Sequence, residues 1–150
     1  MTSDGMQRDK LNEEINKAID KKEYQQVLLY LDELIKIDGE TTELLDYKFD
    51  LLMRLGKYQQ ALEVIPKLDT ISIIKPPWNC LKAADAHLYL GNHDKAMEWI
   101  EKAITERASR RANVFNDTIY DSLRADPHFI WLVTKARENA WLGKMLRILQ

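Results

Sequence analysis

The sequence predicts an all-α chain, built as an α-solenoid of about three helix-turn-helix repeats and closed by a C-terminal capping helix. The composition favours helices, because Gly and Pro number only 5 and 4 among 150 residues. The sequence KEYQQVL at 22–28 returns as KYQQAL at 57–62, so that Tyr58 follows Tyr24 by 34 residues. A diverged third copy, NHDKAM, occupies 92–97. Self-similarity at this period is typical of helical arrays.

Size and composition indicate a soluble globular protein of one domain. The hydrophobic content of 45 % is enough for a core in a chain of this length. Residues 1–10 carry no apolar run, and no stretch of about 18 apolar residues exists, so we expect neither a secretory signal nor a membrane span. Cys80 is the single cysteine, which excludes an internal disulfide. We therefore expect a cytoplasmic protein.

The first repeat is predicted over about 8–41. Residues 1–7 are polar, which indicates a disordered leader outside the fold. Apolar residues recur at helical spacing over 11–19 and again over 27–35, with a polar break between the two stripes. Gly39 then provides a helix stop. These signals predict a pair of helices.

The second repeat is predicted over about 42–76. Apolar stripes at 45–52 and 61–68 form its two helices, and we expect Pro66 to kink or end the second one, because proline cannot donate to the helix ladder. Residues 70–75 include three isoleucines, and we expect them to form a buried connector.

The third repeat is predicted over about 77–110. Pro77 fits the first turn of a helix, where a missing amide costs nothing. Two helices follow, over about 78–90 and 94–106, with a break at Gly91.

A loop and a capping helix are predicted over 111–150. Residues 107–117 are polar and basic, which indicates the loop. Asp126 and Pro127 form a strong helix start, with Asp as the cap and Pro in the first turn. Gly143 weakens the pattern near the end of this last helix.

The repeat has a recognisable pattern: a Gly at the internal turn, an aromatic residue two positions later and a small residue three further on. Gly56, Tyr58 and Ala61 match all three positions, the third copy has His93 in the aromatic's place, and the first copy has Lys22 in place of Gly. With its period of 34 residues, this unit resembles a tetratricopeptide repeat (TPR). The aromatic-Leu-Gly signature of that family's first helix is largely absent.

The sequence IYDSLRADPHF at 119–129 carries a second resemblance. It is similar to a segment that closes TPR arrays in some bacterial proteins, where it acts as a cap over the last helix pair. Together the two resemblances cover residues 8 to about 135, and they imply a fold and a binding role rather than a reaction.

Polar and apolar positions on the first helix of each repeat recur at i, i+4 and i+7. In the resembled family, such positions line a concave groove that takes a peptide. Several aspartates make the middle of this groove acidic, so we expect a peptide or protein partner with Lys or Arg among apolar anchors. The other interpretation is that these are ordinary solvated helix faces. The groove residues are Asn12, Asn16, Asp46, Tyr47, Asp50, Met53, Arg54, Leu81, Lys82, Asp85, Leu88 and Tyr89.

No set of residues assembles an active site, a metal site or a cofactor site. His87 and Cys80 share a helix face but supply only two ligands, whereas a zinc site needs three or four. The sequence contains no nucleophile elbow and no phosphate loop. We therefore expect a non-enzymatic protein without metal or cofactor, in which His87 is a satisfied core residue and Cys80 a small buried hydrophobe.

Nucleic-acid binding would rest on four arginines near Phe115. The pI of about 5.9 lacks the basic footprint of such proteins, so we expect no nucleic-acid partner. The four arginines are Arg107, Arg110, Arg111 and Arg124.

A structural or oligomerisation domain that binds no peptide is the alternative function. The last helix permits a homodimer if it shows more apolar surface than the array can cover. Its apolar residues are Trp131, Trp141, Leu142, Met145, Leu146 and Ile148.

Overall fold

The computed structural model describes residues 2–107 and 112–150, and within these ranges its regular elements are all helical. This confirms the all-α prediction. Consecutive helices pair, α1 with α2, α3 with α4 and α5 with α6, as in an α-solenoid of helical hairpins. The elements are α1 Ser3–Asp20, α2 Tyr24–Asp38, α3 Thr42–Arg54, α4 Tyr58–Ile71, α5 Pro77–Tyr89, α6 His93–Thr105, the 3-10 helices η1 Ala112–Asn116 and η2 Thr118–Leu123, and α7 Pro127–Ile148.

The chain forms two compact units, unit 1 over Met1–Ser72 and unit 2 over Ile73–Gln150. Unit 1 contains two hairpins, and α2 of the first contacts α3 of the second. An ion pair between Lys48 and Asp32 joins α3 to α2, and Lys67 of α4 pairs with Glu40 in the loop between α2 and α3. Its buried apolar residues are Leu11, Ile15, Ala18, Val27, Leu28, Leu31, Leu34, Leu45, Phe49, Leu51, Leu52, Ala61, Val64, Ile65 and Leu68.

The turn inside each hairpin has the same geometry in all three repeats. Lys22, Gly56 and Gly91 adopt left-handed conformations, with φ of 59°, 72° and 77°. In each turn the amide of this residue donates to the carbonyl three residues before it, and the next amide donates to the carbonyl five residues before it. This pattern satisfies the last carbonyls of the first helix. Lys22 therefore occupies the place that glycine holds in the other two copies.

Unit 2 contains the third hairpin, followed by η1, η2 and α7. Phe115, Tyr120 and Phe129 contact one another, with ring centroids 5.4 to 6.0 Å apart. These rings bring both 3-10 helices and the start of α7 into one core with the hairpin. The core cluster comprises Ala84, Ala96, Met97, Ile100, Ile104, Phe115, Tyr120, Leu123, Phe129, Leu132, Val133 and Ala136.

In unit 1 the predicted leader is wrong, and of the two effects expected at Pro66, a kink or a helix end, the helix end does not occur. The leader predicted over 1–7 is helical from Ser3 onward, because the Thr2 side chain accepts the Gly5 amide and caps α1. Helix α4 does not end at Pro66 but continues to Ile71. Pro66 is exposed, so water can satisfy the carbonyl that loses its helical partner.

The connector and the loop of unit 2 also differ from the prediction. Ile73 and Ile74 of the join after α4 are 102 % and 84 % exposed, so the expected buried connector is wrong. Apolar character alone does not bury a side chain that no second surface covers. Part of the predicted loop over 107–117 is helical, as η1, while residues 108–111 lie outside the described residues. Helix α7 continues through Gly143 to Ile148.

Candidate functional site

The predicted groove residues of unit 1 lie on α1 and α3, two helices that both contact α2. Asn12 and Asn16 on α1 and Asp50 on α3 are exposed, while Tyr47 and Met53 are half-buried. The polar groups can therefore reach a ligand, and the larger side chains offer apolar contact beside them. We call this set the α1–α3 face, which consists of Asn12, Asn16, Asp46, Tyr47, Asp50, Met53 and Arg54.

Arg54 is fixed by an aromatic residue of the neighbouring hairpin. Its guanidinium lies 4.8 Å from the ring centroid of Tyr24, and its Nη1 donates to the Tyr24 hydroxyl at 3.3 Å. Burial raises the pKa of Tyr47, and the nearby Arg54 acts in the opposite direction. Tyr24 is thus a residue of the site that the groove prediction missed, although its place at the repeat aromatic position marks it in the sequence.

The α1–α3 face is acidic along α3. Asp46 and Asp50 lie one turn apart on this helix. Asp50 is exposed, whereas Asp46 is half-buried and its Oδ1 is fully buried. Lys48, between them in the sequence, lies 2.7 Å from Asp32 of α2. The one cation of the face, Arg54, is stacked on Tyr24. Of the two carboxylates, that of Asp50 is therefore the one exposed to solvent.

The predicted groove residues of unit 2 lie on α5, and part of this set is covered by the chain itself. Asp85 accepts a hydrogen bond of 2.7 Å from the Tyr120 hydroxyl of η2. Leu81 and Leu88 pack against the core cluster to which Tyr120 belongs. Of the remaining two, Lys82 is half-buried and Tyr89 is exposed. The third repeat therefore uses its groove positions to hold η2.

The environment of Asp85 disfavours its charged form. Burial raises the pKa of this carboxyl to about 6, and Asp117 adds to the rise, while the bond from Tyr120 and the charge of Lys82 lower it. Burial and the neighbouring Asp85 also raise the pKa of the Tyr120 hydroxyl. The pair is therefore a structural contact, with the tyrosine as donor and the carboxyl as acceptor.

His87 and Cys80, the two candidate ligands, do not form a metal site with a third residue. Among residues 2–107 and 112–150, no three His, Cys, Asp or Glu side chains are grouped so as to hold a metal ion. Cys80 is fully buried, as predicted. His87 is half-buried, and its buried Nδ1 has no hydrogen-bond partner, so the expectation of a satisfied core histidine is wrong. Burial and Lys95 lower the pKa of His87.

The residues behind the nucleic-acid alternative have internal roles where the structure describes them. Arg107 donates to the carbonyl of Pro76, and Arg124 donates to the carbonyls of Phe115 and Asp117. Phe115 is fully buried in the core cluster. Arg110 and Arg111 lie outside the described residues. In the described part of the chain, no helix is both long and apolar enough to cross a membrane.

Comparison with known proteins assigns the hairpins to a family. Residues 6–108, which include nearly all of α1 to α6, match the family model described as RPN1 N-terminal domain. No curated protein matches the chain. Since the matched residues make up more than half of the sequence, the chain belongs to the RPN1 N-terminal domain family.

Proposed function

We propose that this protein is a non-enzymatic, cytoplasmic protein-interaction module of TPR type, which binds a peptide segment on the α1–α3 face. The observation that supports this proposal is that Asn12, Asn16 and Asp50 of unit 1 are exposed, whereas Asp85 of α5 is half-buried and bonded to Tyr120. The recurring left-handed turn at Lys22, Gly56 and Gly91 supports the TPR assignment.

The chemistry of the face selects the class of peptide. Asp46 and Asp50 attract Lys or Arg, and Asn12 and Asn16 can bond the amides and carbonyls of an extended main chain. Tyr47 and Met53 provide half-buried contacts for an apolar anchor. The ligand is therefore a segment with Lys or Arg among apolar residues.

Selection from a random-peptide display library, followed by titration of an enriched peptide in fluorescence polarisation, tests this function. We expect enrichment of Lys or Arg beside apolar residues. Asp50→Lys should weaken binding about fivefold or more, since it replaces an attraction of about 1 kcal/mol by a repulsion. Glu63→Lys is the matched control, because Glu63 is exposed on α4 and the change in charge is the same.

The opposite result would favour the structural alternative, a domain that binds no peptide. The hydrogen bond from Tyr120 to Asp85 supports that alternative, because a predicted groove residue of the third repeat here stabilises the fold. If no peptide is enriched, or if Asp50→Lys and Glu63→Lys weaken binding equally, the α1–α3 face is not a peptide site.

A further inference from the structure

Helix α7 is apolar on two sides, and the core covers only one of them. Phe129, Leu132, Val133 and Ala136 face the core of unit 2, and beyond them only Gly143 is buried. The residues named for self-association are all exposed, among them Trp141 at 61 % and Ile148 at 77 %. The exposed apolar residues of α7 and its end are Ile130, Trp131, Trp141, Leu142, Met145, Leu146, Ile148 and Leu149.

A cavity of about 220 Å³ opens beside the first half of this helix. Phe115, Phe129 and Val133 give it an apolar lining, and Ile130 contributes from the exposed side of α7. Its polar groups come from Asn116, Thr134, Arg124 and Arg137. The volume is that of one large apolar side chain rather than of a metabolite, since ligand pockets usually exceed about 300 Å³.

The cavity continues along α7 as a surface strip. Arg137, at the edge of the cavity, is followed by Trp141, Lys144 and Ile148, at the spacing i, i+4, i+7 and i+11. Residues at this spacing lie on one side of a helix. All four are exposed, so they form one accessible line that starts at the cavity. We call the cavity and these four residues the α7 strip.

The α7 strip is basic. Helix α7 carries four Lys and Arg against one acidic residue, Glu138, and Glu138 is paired with Lys135. Arg124 is engaged with Asp121 and with backbone carbonyls. Within the described residues, Arg137 and Lys144 have no hydrogen bond or ion pair. Two cations therefore flank exposed apolar side chains without an internal counter-charge.

We propose that the α7 strip binds an acidic amphipathic segment of a partner protein, with an apolar side chain seated in the cavity and carboxylates at Arg137 and Lys144. Charge complementarity selects this occupant. A second copy of the chain would bring like charges together along the strip, which opposes pairing. A membrane surface is flat and cannot reach an apolar lining that is recessed in a cavity. The strip and the α1–α3 face would then take partners of opposite charge.

A fluorescein-labelled helical peptide with Leu and Phe on one side and Glu on the other is the probe. We expect it to bind the full chain in fluorescence polarisation, and more tightly than the same peptide with Gln for every Glu. The variant Arg137→Glu with Lys144→Glu should weaken binding about tenfold or more, since it reverses both charges. The matched control is Lys21→Glu with Lys36→Glu, two exposed lysines of unit 1 that give the same change in net charge.

The apolar part of the strip is tested by Trp141→Ala, which should also weaken the Glu peptide, by several-fold. Far-UV circular dichroism checks that each variant keeps its helices. The proposal is overturned if the Glu peptide fails to bind, or if the control weakens it as much as the strip variant does. It is also overturned if the wild-type chain sediments as a dimer that Trp141→Ala dissociates, which would assign the strip to a second copy.

Vesicles that contain phosphatidylserine test whether the α7 strip binds a lipid surface instead of a protein segment. Binding to these vesicles that is lost in Arg137→Glu with Lys144→Glu would assign the strip to a lipid surface and overturn the proposal. Asp50→Lys separates the two functions, because it should leave the Glu peptide unaffected. A failure of the α1–α3 face would therefore not be read as a failure of the strip.

Discussion

At the scale of the residue, the ionisation of Asp85 governs how pH affects unit 2. Because burial raises its pKa to about 6, the folded state holds a proton on this carboxyl that the unfolded state has lost above about pH 4. The contribution of Asp85 to the free energy of unfolding should therefore fall as pH rises from about 4 to 6 and stay level above about 7. Asp85→Asn removes this dependence and can still accept the bond from Tyr120.

Urea unfolding of the wild type and of Asp85→Asn, measured across this range of pH, isolates the contribution of the carboxyl. We expect the stability of the wild type relative to the variant to fall by about 2 to 3 kcal/mol between pH 4 and 7. Tyr120→Phe removes a bond that lowers the pKa of Asp85, so the fall should extend to higher pH. A difference that grows with pH instead would mean that the fold stabilises the charged carboxylate.

At the scale of the element, the three hairpin turns share a left-handed residue, which is a glycine in two of the turns and Lys22 in the first. Lys22 has φ of 59°, a left-handed conformation that costs a side chain with Cβ about 1 kcal/mol. Lys22→Gly should therefore stabilise the protein by roughly 0.5 to 1 kcal/mol, measured by urea unfolding. The control is Lys21→Gly, one residue earlier in right-handed conformation, which should lose stability.

In the other two repeats, a substitution of the turn glycine should lower the stability of the protein. Gly91→Lys and Gly91→Val should lower the free energy of unfolding by about 1 kcal/mol or more, because the φ of Gly91 lies in the left-handed region. Steric crowding is not the cause, since a Cβ at Gly91 would meet no atom within 4 Å. If Lys22→Gly were neutral while Gly91→Lys remained costly, the conformational explanation would not hold for the first hairpin.

The hairpin helices could be predicted because their signal is local. The stripes around Tyr24 and Tyr58 repeat within a few residues, and the turn between helices is marked by Gly56 and Gly91. The 3-10 helices are too short to show a period, and η1 therefore fell within a predicted loop. The exposed Ile73 shows that composition alone does not predict burial, since an apolar side chain is buried only where a second surface packs against it.

The candidate site depends on tertiary contacts that the repeat period in the sequence does not predict. Asp50 and Asp85 occupy equivalent positions in the repeat, yet Asp50 is exposed, whereas Asp85 is half-buried and accepts a hydrogen bond from Tyr120, 35 residues further on. The closing segment at 119–129 packs on the third hairpin through Tyr120, and this contact depends on the packing of η2 and not on any spacing in the sequence. Tertiary contacts of this kind give equivalent repeat positions different surroundings.

At the scale of the whole molecule, the division into Met1–Ser72 and Ile73–Gln150 predicts two unfolding transitions. The four tryptophans, Trp78, Trp99, Trp131 and Trp141, all belong to unit 2, so their fluorescence reports on that unit alone, whereas far-UV circular dichroism reports on both. Because each unit has its own buried core, we expect urea curves from the two signals not to coincide.

A core substitution in unit 1 makes this prediction specific. Leu52 is 1 % exposed, so Leu52→Ala should destabilise unit 1 by about 2 to 5 kcal/mol and move part of the circular dichroism curve to lower urea. The fluorescence curve should stay in place, because no tryptophan lies in that unit. Ile104→Ala is the counterpart, since Ile104 is equally buried in the core of unit 2 and its loss should move the fluorescence curve. If Leu52→Ala shifts both signals together, the hairpins unfold as one cooperative array, and the two binding surfaces proposed for the two units would then share one stability.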